Sequence, residues 1–417
     1  MNLSNGSRKR CSNGRSSAFY RCRIGIRKYP GLAARRARVD FRMSVITMLL
    51  ASVSCISCTV SEFDDNLGPV RFCESPAIGN SMDADLQFMR RHAASVEENA
   101  FGTYEADFNN NVDFVYVPTG VFQMGTNEWG SDEQPVHDVF LNGFWIGKNL
   151  VTNDQFAEFV NESEFVTDAE KPDAEGCYVF IARRNGEGGN WQPTPGWNWR
   201  NAFDDHPTDP YYRDFENLRQ HPVGCVSWYD AMAYSEWLSA KLGLSVSLPT
   251  EAQWEKAARG TDGRAWPWGN EPPDETRSNF ADASFDAAYE QPNQGVPTLS
   301  VDDGWSATSP VGLFPAGASP YGVLDMSGNT TQWVYDLLSP YSSEMQSNPM
   351  GPTGGADRST RAMRGGFWIA SASSLTPTPK EIRQKHTTRA DLRAGDDPRS
   401  SDDHLGFRVV IDGCDRP

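Results

Sequence analysis

Cysteine is missing from Val226 to Gly413, almost half of the chain, although the whole sequence contains eight cysteines. Soft metals such as Cu(I) prefer thiolate ligands, so this part of the chain cannot build a thiolate metal centre. Histidine is also scarce, with six residues and no H-E-x-x-H run. A G-x-S-x-G motif and a phosphate-binding glycine loop are absent as well. The sequence therefore gives no support for a hydrolase or a nucleotide-binding enzyme.

Positive charge is scarce outside the first 42 residues. Met1–Arg42 holds twelve Lys and Arg against one Asp, which gives this segment a charge of +11. Because the whole chain carries −17, the remainder carries −28 (−17 minus 11). Nucleic-acid binding needs clustered positive charge, so this acidic remainder argues against a nucleic-acid partner. It is compatible with an exported protein and with sites for divalent cations.

A long hydrophobic run is missing too. The apolar run that begins at Met43 is shorter than the roughly 20 residues of a membrane-spanning helix. It follows a basic stretch and precedes small residues, the layout of a signal peptide. We therefore predict that residues 1–60 are a basic leader and signal, that translation starts at Met1 or Met43, and that the protein is exported to the periplasm, the outer membrane or the exterior. Cys55 or Cys58 could be a lipidated cysteine that attaches the protein to a membrane. Neither has a leucine three residues earlier, so plain cleavage is the alternative.

Four cysteines remain beyond the leader: Cys73, Cys177, Cys225 and Cys414. An oxidising compartment favours their pairing. A bridge between Cys177 and Cys225 would close a loop of roughly 48 residues, worth on the order of 4 kcal/mol in the chain-entropy model. Two buried free thiols are the alternative, since cysteine packs as a small hydrophobic residue. Cys73 and Cys414 lie in the tails and could pair with each other.

The remaining sequence divides into a polar linker, residues 61–112, and one domain, residues 113–412. The linker contains one predicted helix around Asp83–Glu98. Alternating apolar residues from Phe114 to Met124 predict a hairpin that turns at Pro118, Thr119 and Gly120.

Capping signals predict three helices in the domain. The first begins at Thr152 or Asn153, the second at Ser227 and the third at Thr250, which has Gln253 three residues later. The long loops Gly186–Asp214 and Trp266–Ser309 are rich in Pro, Gly, Asn, Asp and Trp. Loops of this length usually need tethers such as metals or disulfides, or carry function.

Six motifs follow one another along the domain. They are MGTNEWGSDEQPVHDVFLNGFWIGKNLVTNDQF (Met124–Phe156), HPVGCVSWYDAMAYSEWL (His221–Leu238), LPTEAQWEKAARG (Leu248–Gly260), PYGVLDMSGNTTQWVYD (Pro320–Asp336), RGGFW (Arg364–Trp368) and LGFR (Leu405–Arg408). This ordered series resembles the formylglycine-generating enzyme domain, also called the sulfatase-modifying factor domain. The resemblance covers about Asp113–Asp412. It implies an α+β fold, the irregular, loop-rich formylglycine-generating-enzyme fold that is related to the C-type lectin fold.

The resemblance also shows what this chain lacks. Enzymes of the family hold Cu(I) with two cysteines five residues apart and oxidise a sulfatase cysteine to formylglycine. Counting back from Leu405, these positions fall at Lys385 and Ala390, and neither side chain can replace a thiolate. The resemblance therefore implies a member without the catalytic pair, without copper and without this oxidase activity.

A second enzymatic branch of the family forms sulfoxides with an iron ion held by an H-x₃-H-x-E run. No pair of histidines in this sequence has that spacing. His386 and His404 could lie near each other beside the expected active site. A metal role for this pair is one hypothesis, and two solvent-facing histidines are the alternative.

The resemblance implies a calcium site in the long loop. The family ligands are an Asn side chain, the next carbonyl, an Asp side chain and the carbonyl of an aromatic residue, matched here by Asn279, Phe280, Asp303 and Trp305. Calcium takes about six to eight oxygen ligands of these types. The alternative is that these are ordinary turn residues.

A second calcium site is implied in the run DMSGNTTQW. Asp325, Gly328 and Thr330 match the family positions, but Gln332 stands where the family has Glu. A Gln oxygen can bind calcium, yet it brings one negative charge less and should weaken binding. A purely structural turn is the alternative.

Together these features predict an exported, calcium-stabilised binding, scaffold or accessory module with an unidentified protein or peptide partner. The rival hypothesis is an enzyme of the same superfamily whose chemistry does not use cysteine, either formylglycine-generating-oxidase-like or similar to the members that act in siderophore maturation.

Overall fold

Side-chain capping fixes where the main helices begin. The computed structural model describes residues 82–108, 112–128, 130–181, 190–204, 206, 208–289, 298–351, 360–369 and 388–412. Its helices are α1 (Met82–Met89), α2 (Asn153–Ser163), α3 (Trp228–Leu242), α4 (Glu251–Arg259) and α5 (Ala283–Ala288). Thr152, Ser227 and Thr250 each form a capping box at the start of α2, α3 and α4. The three helices predicted from capping are confirmed.

Fifteen short strands are described between and after these helices. They are β1 (Ser95–Glu98), β2 (Tyr104–Asp107), β3 (Phe114–Val117), β4 (Gly120–Met124), β5 (His137–Leu141), β6 (Phe144–Gly147), β7 (Cys177–Ile181), β8 (Asn190–Thr194), β9 (Val246–Ser247), β10 (Thr331–Leu337), β11 (Gln346–Ser347), β12 (Arg361–Arg364), β13 (Arg393–Asp396), β14 (Leu405–Phe407) and β15 (Val410–Asp412). Much of the described chain outside them is loop, so the structure is the irregular, loop-rich α+β fold that the sequence predicts.

The strands form four small sheets. Six strands pair in the order β1-β2-β3-β6-β15-β9, four in the order β13-β12-β10-β14, three in the order β11-β5-β4, and two as β7-β8. In the four-stranded sheet, β10 pairs antiparallel with β12 and parallel with β14. This sheet therefore brings together the last three sequence motifs, which contribute β10, the end of β12 and β14.

The hairpin predicted from Phe114 to Met124 is wrong. β3 pairs with β2 and β6, whereas β4 pairs with β5 in a different sheet. All four residues of β3 are buried, while β4 alternates between buried and more exposed positions. The chain turns a corner between the two sheets at Gly120, whose φ of 144° is accessible to glycine and strained for other residues.

The predicted linker contains more structure than its polar composition indicates. The helix expected around Asp83–Glu98 ends at Met89, and β1 and β2 follow as a hairpin that extends the six-stranded sheet. Asn99 stabilises the hairpin turn, because its Oδ1 accepts the backbone N–H groups of Phe101 at 2.9 Å and Thr103 at 3.2 Å. Hydrogen bonds of this kind are made by polar side chains, so the pattern of apolar residues does not predict them.

A disulfide joins Cys177 at the start of β7 to Cys225 before α3, with a Cα–Cα distance of 5.4 Å. Both residues are fully buried. The backbone N–H of Cys225 donates to the carbonyl of Asp402, and Tyr178 donates to Ser401. The bridge thus lies where β7 meets the loop before the L-G-F-R run.

Several residues that figure in the predictions from the sequence lie outside the described ranges. These are the leader with Cys55 and Cys58, the tail cysteines Cys73 and Cys414, and the positions Lys385 and His386. Within the described ranges, no helix is both long enough and apolar enough to cross a membrane.

Candidate functional site

The residues of the first predicted calcium site fold into one turn, in which Asn279 and Phe280 are buried and Asp303 and Trp305 are partly exposed. Asp303 Oδ2 accepts the backbone N–H of Phe280 at 3.1 Å, and its Oδ1 accepts the N–H of Trp305 at 2.8 Å. The first of these bonds joins two stretches that lie more than twenty residues apart in the sequence. Asn279 is 1% exposed, and its Nδ2 donates to the carbonyl of Ala307 at 2.7 Å. The structure therefore brings all four predicted positions of this site together.

The polar atoms of this turn fit a calcium ion. The side-chain oxygen Oδ1 of Asn279 is buried and accepts no hydrogen bond, which is costly unless a cation or water completes it. Burial, and then the neighbouring Asp282, raise the pKa of Asp303 to about 8. Neither carboxylate pairs with a Lys or Arg in the described part of the chain. A cation bound by Asn279, Asp303 and the carbonyls of Phe280 and Trp305 would neutralise this charge.

The second predicted stretch packs directly against the first. The backbone N–H of Asn329 donates to the carbonyl of Asn279 at 2.9 Å. Gly328 has a φ of 78°, and a Cβ at this position would lie 2.2 Å from that same carbonyl oxygen. Only glycine permits this approach, so the D-M-S-G-N run positions Asn279.

The residues of this second stretch do not fit a calcium ion. Gln332 Oε1 already accepts two N–H groups, from Trp254 Nε1 at 2.7 Å and Arg408 Nε at 2.7 Å. Asp325 Oδ2 accepts the backbone N–H of Gly312 at 2.7 Å. The guanidinium of Arg408 is fully buried and also donates to the carbonyl of Asp325 at 3.0 Å. The guanidinium of Arg408 therefore occupies the position at which a metal ion would contact Gln332.

The hydrogen bonds of this second stretch favour the alternative of a purely structural turn. Thr330 Oγ1 is buried without a hydrogen-bond partner, but the family ligand at this position is its carbonyl and not its hydroxyl. Across the described ranges, no group of three or more His, Cys, Asp or Glu side chains could hold a metal ion. The Asn279 turn would therefore depend on amide and carbonyl oxygens, which are ligand types that calcium accepts.

Ala390 marks the position of one expected copper cysteine. It is fully buried and belongs to the smaller of two hydrophobic clusters. Its N–H donates to the carbonyl of Ala265 at 2.9 Å, and its carbonyl accepts from Arg364 Nη2 at 3.0 Å. The methyl group of Ala390 cannot bind a metal ion, so this residue contributes to core packing instead.

A hydrogen-bonded Asp-His pair that the sequence motifs do not predict lies beside the L-G-F-R run. Asp403 is 2% exposed, and its carboxylate accepts the backbone N–H of Phe180 at 2.7 Å and the Nε1–H of Trp191 at 3.1 Å. Nδ1 of His404 lies 3.2 Å from Asp403 Oδ1. His386, the expected neighbour of His404, falls outside the described residues. The adjacent Asp-His pair in D-D-H-L-G-F-R was the available signal for this arrangement.

Comparison with known proteins identifies the class to which this fold and these sites belong. Residues 100–413 match the sulfatase-modifying factor enzyme 1-like domain. This chain therefore belongs to the sulfatase-modifying factor family, which includes the formylglycine-generating enzymes.

Three relatives illustrate the similarity. The formylglycine-generating enzyme of Mus musculus is 32% identical over 316 residues, which cover 72% of this chain and 74% of the relative. The enzyme of Mycobacterium tuberculosis is 30% identical, covering 72% of this chain and 98% of the relative. An inactive Cα-formylglycine-generating enzyme 2 of Bos taurus is 32% identical, covering 73% of this chain and 90% of the relative.

Among solved structures, PvdO from Pseudomonas aeruginosa is 21% identical and covers 77% of this chain and 98% of its own, with a TM-score of 0.46.

Proposed function

We propose that this protein is an exported, calcium-stabilised binding module of the sulfatase-modifying factor family that does not perform copper-dependent formylglycine formation. Its role is that of a scaffold or accessory domain for a protein or peptide partner outside the cytoplasm. The observation that carries the proposal is the buried Ala390 at an expected copper-ligand position, within a stretch that contains no cysteine from Val226 to Gly413.

The chemistry of copper supports this proposal. Cu(I) is a soft ion that selects thiolate and thioether ligands. Moving the alignment along the chain cannot supply the missing pair, because the whole segment lacks cysteine. One relative with 32% identity is itself named an inactive formylglycine-generating enzyme, so loss of the oxidation has a precedent among similar sequences.

Calcium has a structural role in this proposal. The Asn279 turn joins the loop before α5 to the segment around Asp303, and it packs against the D-M-S-G-N run. An ion in the turn would therefore hold together a long loop that has little regular structure of its own. The carboxylates of Asp303 and Asp282 would gain the counter-charge that they lack among the described residues.

The experiment offers a C-x-P-x-R sulfatase peptide to the purified protein with copper, oxygen and a thiol reductant. Mass spectrometry follows the peptide cysteine, and the Mycobacterium tuberculosis relative serves as the positive control. We expect the control to form the aldehyde and this protein to leave the cysteine unchanged. Aldehyde formation by this protein would overturn the proposal.

The second candidate function is an enzyme of the same superfamily with chemistry that does not use cysteine. The observation in its favour is the His404–Asp403 pair, an imidazole oriented by a buried carboxylate as in many acid–base sites. This pair leads to the following inference.

A further inference from the structure

His404 lies between two aromatic side chains beside β14. The centroid of its ring lies 4.3 Å from that of Phe367 and 5.1 Å from that of Trp191. Both aromatic residues are partly exposed. The side chain of His404 keeps 15% of its exposure, whereas that of Asp403 keeps 2%. An incoming molecule could therefore reach the imidazole but could not reach the carboxylate that supports it.

The hydrogen bond to Asp403 decides which ring nitrogen is available. A carboxylate acts as an acceptor, so Nδ1 of His404 is the nitrogen that carries hydrogen and donates to it. Nε2 is then the acceptor of the neutral ring. No hydrogen bond involves Nε2 within the described ranges. Nε2 is therefore the ring nitrogen that could accept a hydrogen bond from a ligand.

The surroundings favour protonation of this ring. Burial alone would lower the pKa of His404, but the hydrogen bond to Asp403 and the negative charges of Asp402, Asp403 and Asp396 raise it above its usual value. Asp403 itself is held in place by the N–H groups of Phe180 and Trp191. A basic nitrogen with an oriented ring and a fixed partner is the arrangement that proton transfer requires.

We propose that His404 and Asp403 form a proton-accepting dyad that binds the hydroxyl group of a phenolic ligand, with Trp191 and Phe367 contacting the aromatic ring of that ligand. In the proposed step the phenol O–H bond breaks and an N–H bond forms at Nε2 of His404. The electron pair stays on the phenolic oxygen, so the product is a phenolate paired with an imidazolium, and no other reactant is needed. Asp403 acts as a positioning residue because it would contact the imidazole and Trp191 but not the reacting hydroxyl group.

The ligand class follows from the two kinds of contact. Aromatic rings favour tilted or offset contacts with other aromatic rings, which Trp191 and Phe367 offer. The acceptor Nε2 requires a donor at the edge of the ligand, and a phenol combines that donor with an aromatic ring. A tyrosine side chain of a peptide partner has the same chemistry. This inference rests on the proposed binding role and specifies the ligand for it.

The test uses 4-nitrophenol and the weaker acid 3-nitrophenol, whose absorbance distinguishes phenol from phenolate. The full-length calcium-loaded protein is titrated with each phenol over a series of pH values. We expect the bound phenol to ionise at a lower pH than the free phenol. His404→Gln should weaken binding by about tenfold, a typical loss for one hydrogen bond, and should abolish the shift in ionisation.

Two further variants separate a chemical role from a structural one. Asp403→Asn keeps a ring at position 404 but removes the negative charge, so it should reduce the ionisation shift and change its pH profile. His92→Asn is the matched control, because His92 lies at the end of α1 and hydrogen-bonds to the carbonyl of Phe88. It should behave as the wild type. If Asp403→Asn fails to fold, the wild-type and His404→Gln titrations still decide the question.

Three outcomes would overturn the inference: no binding of either phenol, binding of only the neutral phenol, or the same ionisation shift in His404→Gln. None of them bears on the copper experiment or on calcium stabilisation, which test the proposed function separately.

Discussion

Gln332 and Arg408 are hydrogen-bonded to each other in the interior, with Nε of Arg408 donating to Oε1 of Gln332 at 2.7 Å. Both side chains are fully buried. Arg408 also donates to the carbonyls of Gly147 at 2.8 Å and Leu324 at 2.8 Å. This single guanidinium, just after β14, therefore contacts β10 and the last residue of β6, and it lies where a second calcium ion was expected.

The first prediction concerns the number of calcium ions and their ligands. We expect one bound ion per chain, with Asp303→Ala removing most of the calcium-dependent rise in Tm. A ligand that binds only the native state stabilises it by RT ln(1 + [L]/Kd), about 2.7 kcal/mol at a hundredfold excess over Kd. Melting curves with calcium and with chelator, together with elemental analysis, measure both quantities.

Gln332→Ala is the matched control for this experiment. It should lower the Tm by a similar amount with calcium and with chelator, because it leaves Arg408 and Trp254 without their shared acceptor. A wild-type melting curve that does not respond to chelator would disprove the Asn279 site. A loss of calcium response in Gln332→Ala equal to that in Asp303→Ala would instead restore the second site.

The second prediction concerns the buried charges around α4. Arg364 is 1% exposed and donates to Glu251 Oε1 at 3.2 Å and to Glu255 Oε2. Arg364→Met would leave Glu255 beside fewer positive charges, and breaking a buried pair in this way costs about 3–5 kcal/mol. Arg219→Ala, in an exposed pair with Asp154, should cost much less, because solvent screens this pair. Urea unfolding of both variants compares the two; equal losses would contradict the prediction.

The third prediction is a pH dependence that originates at Asp336. Burial, and then the adjacent Glu251, raise the pKa of Asp336 to about 7, whereas an Asp in the unfolded chain has a pKa near 3.8. The folded state therefore binds more protons between these values, and this group's contribution to stability falls as the pH rises through that window. Protonated Asp336 is the stable buried form.

Asp336→Asn should flatten this part of the pH profile. The amide can still accept the N–H of Glu251 with its oxygen, as Asp336 Oδ2 does at 2.8 Å. Urea unfolding at several pH values from about 4 to 7 measures the slope in both proteins, with the exposed Asp138→Asn as the control. An unchanged slope in Asp336→Asn would show that another group controls the pH dependence.

The fourth prediction concerns the disulfide. Replacing both Cys177 and Cys225 by Ala opens a loop with a sequence separation of 48 residues. The chain-entropy model gives a loss on the order of 4 kcal/mol, to which two small packing changes add. Urea unfolding measures the loss, and mass spectrometry of the wild type after thiol alkylation tests the bridge. Alkylation of either cysteine in the unreduced, unfolded protein would contradict it.

The fifth prediction concerns export. We expect the mature chain to begin near Cys55–Ser61 and to lie outside the cytoplasm, because a basic segment and a short apolar run precede an acidic domain. Cell fractionation followed by N-terminal mass spectrometry tests this expectation. A lipid on Cys55 or Cys58 would identify a membrane anchor, and a plain cut would identify a free exported form. An intact Met1 in the soluble cytoplasmic fraction would refute the prediction.

The sequence by itself determined the features that depend on neighbouring residues. Ser227 with Asp230 and Thr250 with Gln253 specify their helix starts because the capping bonds span only three residues. The ordered motifs specified the family, and the missing cysteines specified that a thiolate copper site cannot form between Val226 and Gly413. Composition alone can settle an absence of this kind, because no fold can supply a ligand that the chain lacks.

Only the tertiary structure decided what the distant residues do. β3 and β4 look like a hairpin in sequence, yet pairing with β6 and β5 separates them, since strand partners are chosen by burial over the whole fold. The sequence predicts that Gln332 is a weakened calcium ligand, whereas in the structure its side-chain oxygen accepts hydrogen bonds from Arg408 and Trp254. Asp403 likewise gains a role because β7 and β8 bring Phe180 and Trp191 to it from more than two hundred residues away. Hydrogen-bond partners at such separations leave no periodic signal in the sequence, so packing alone reveals them.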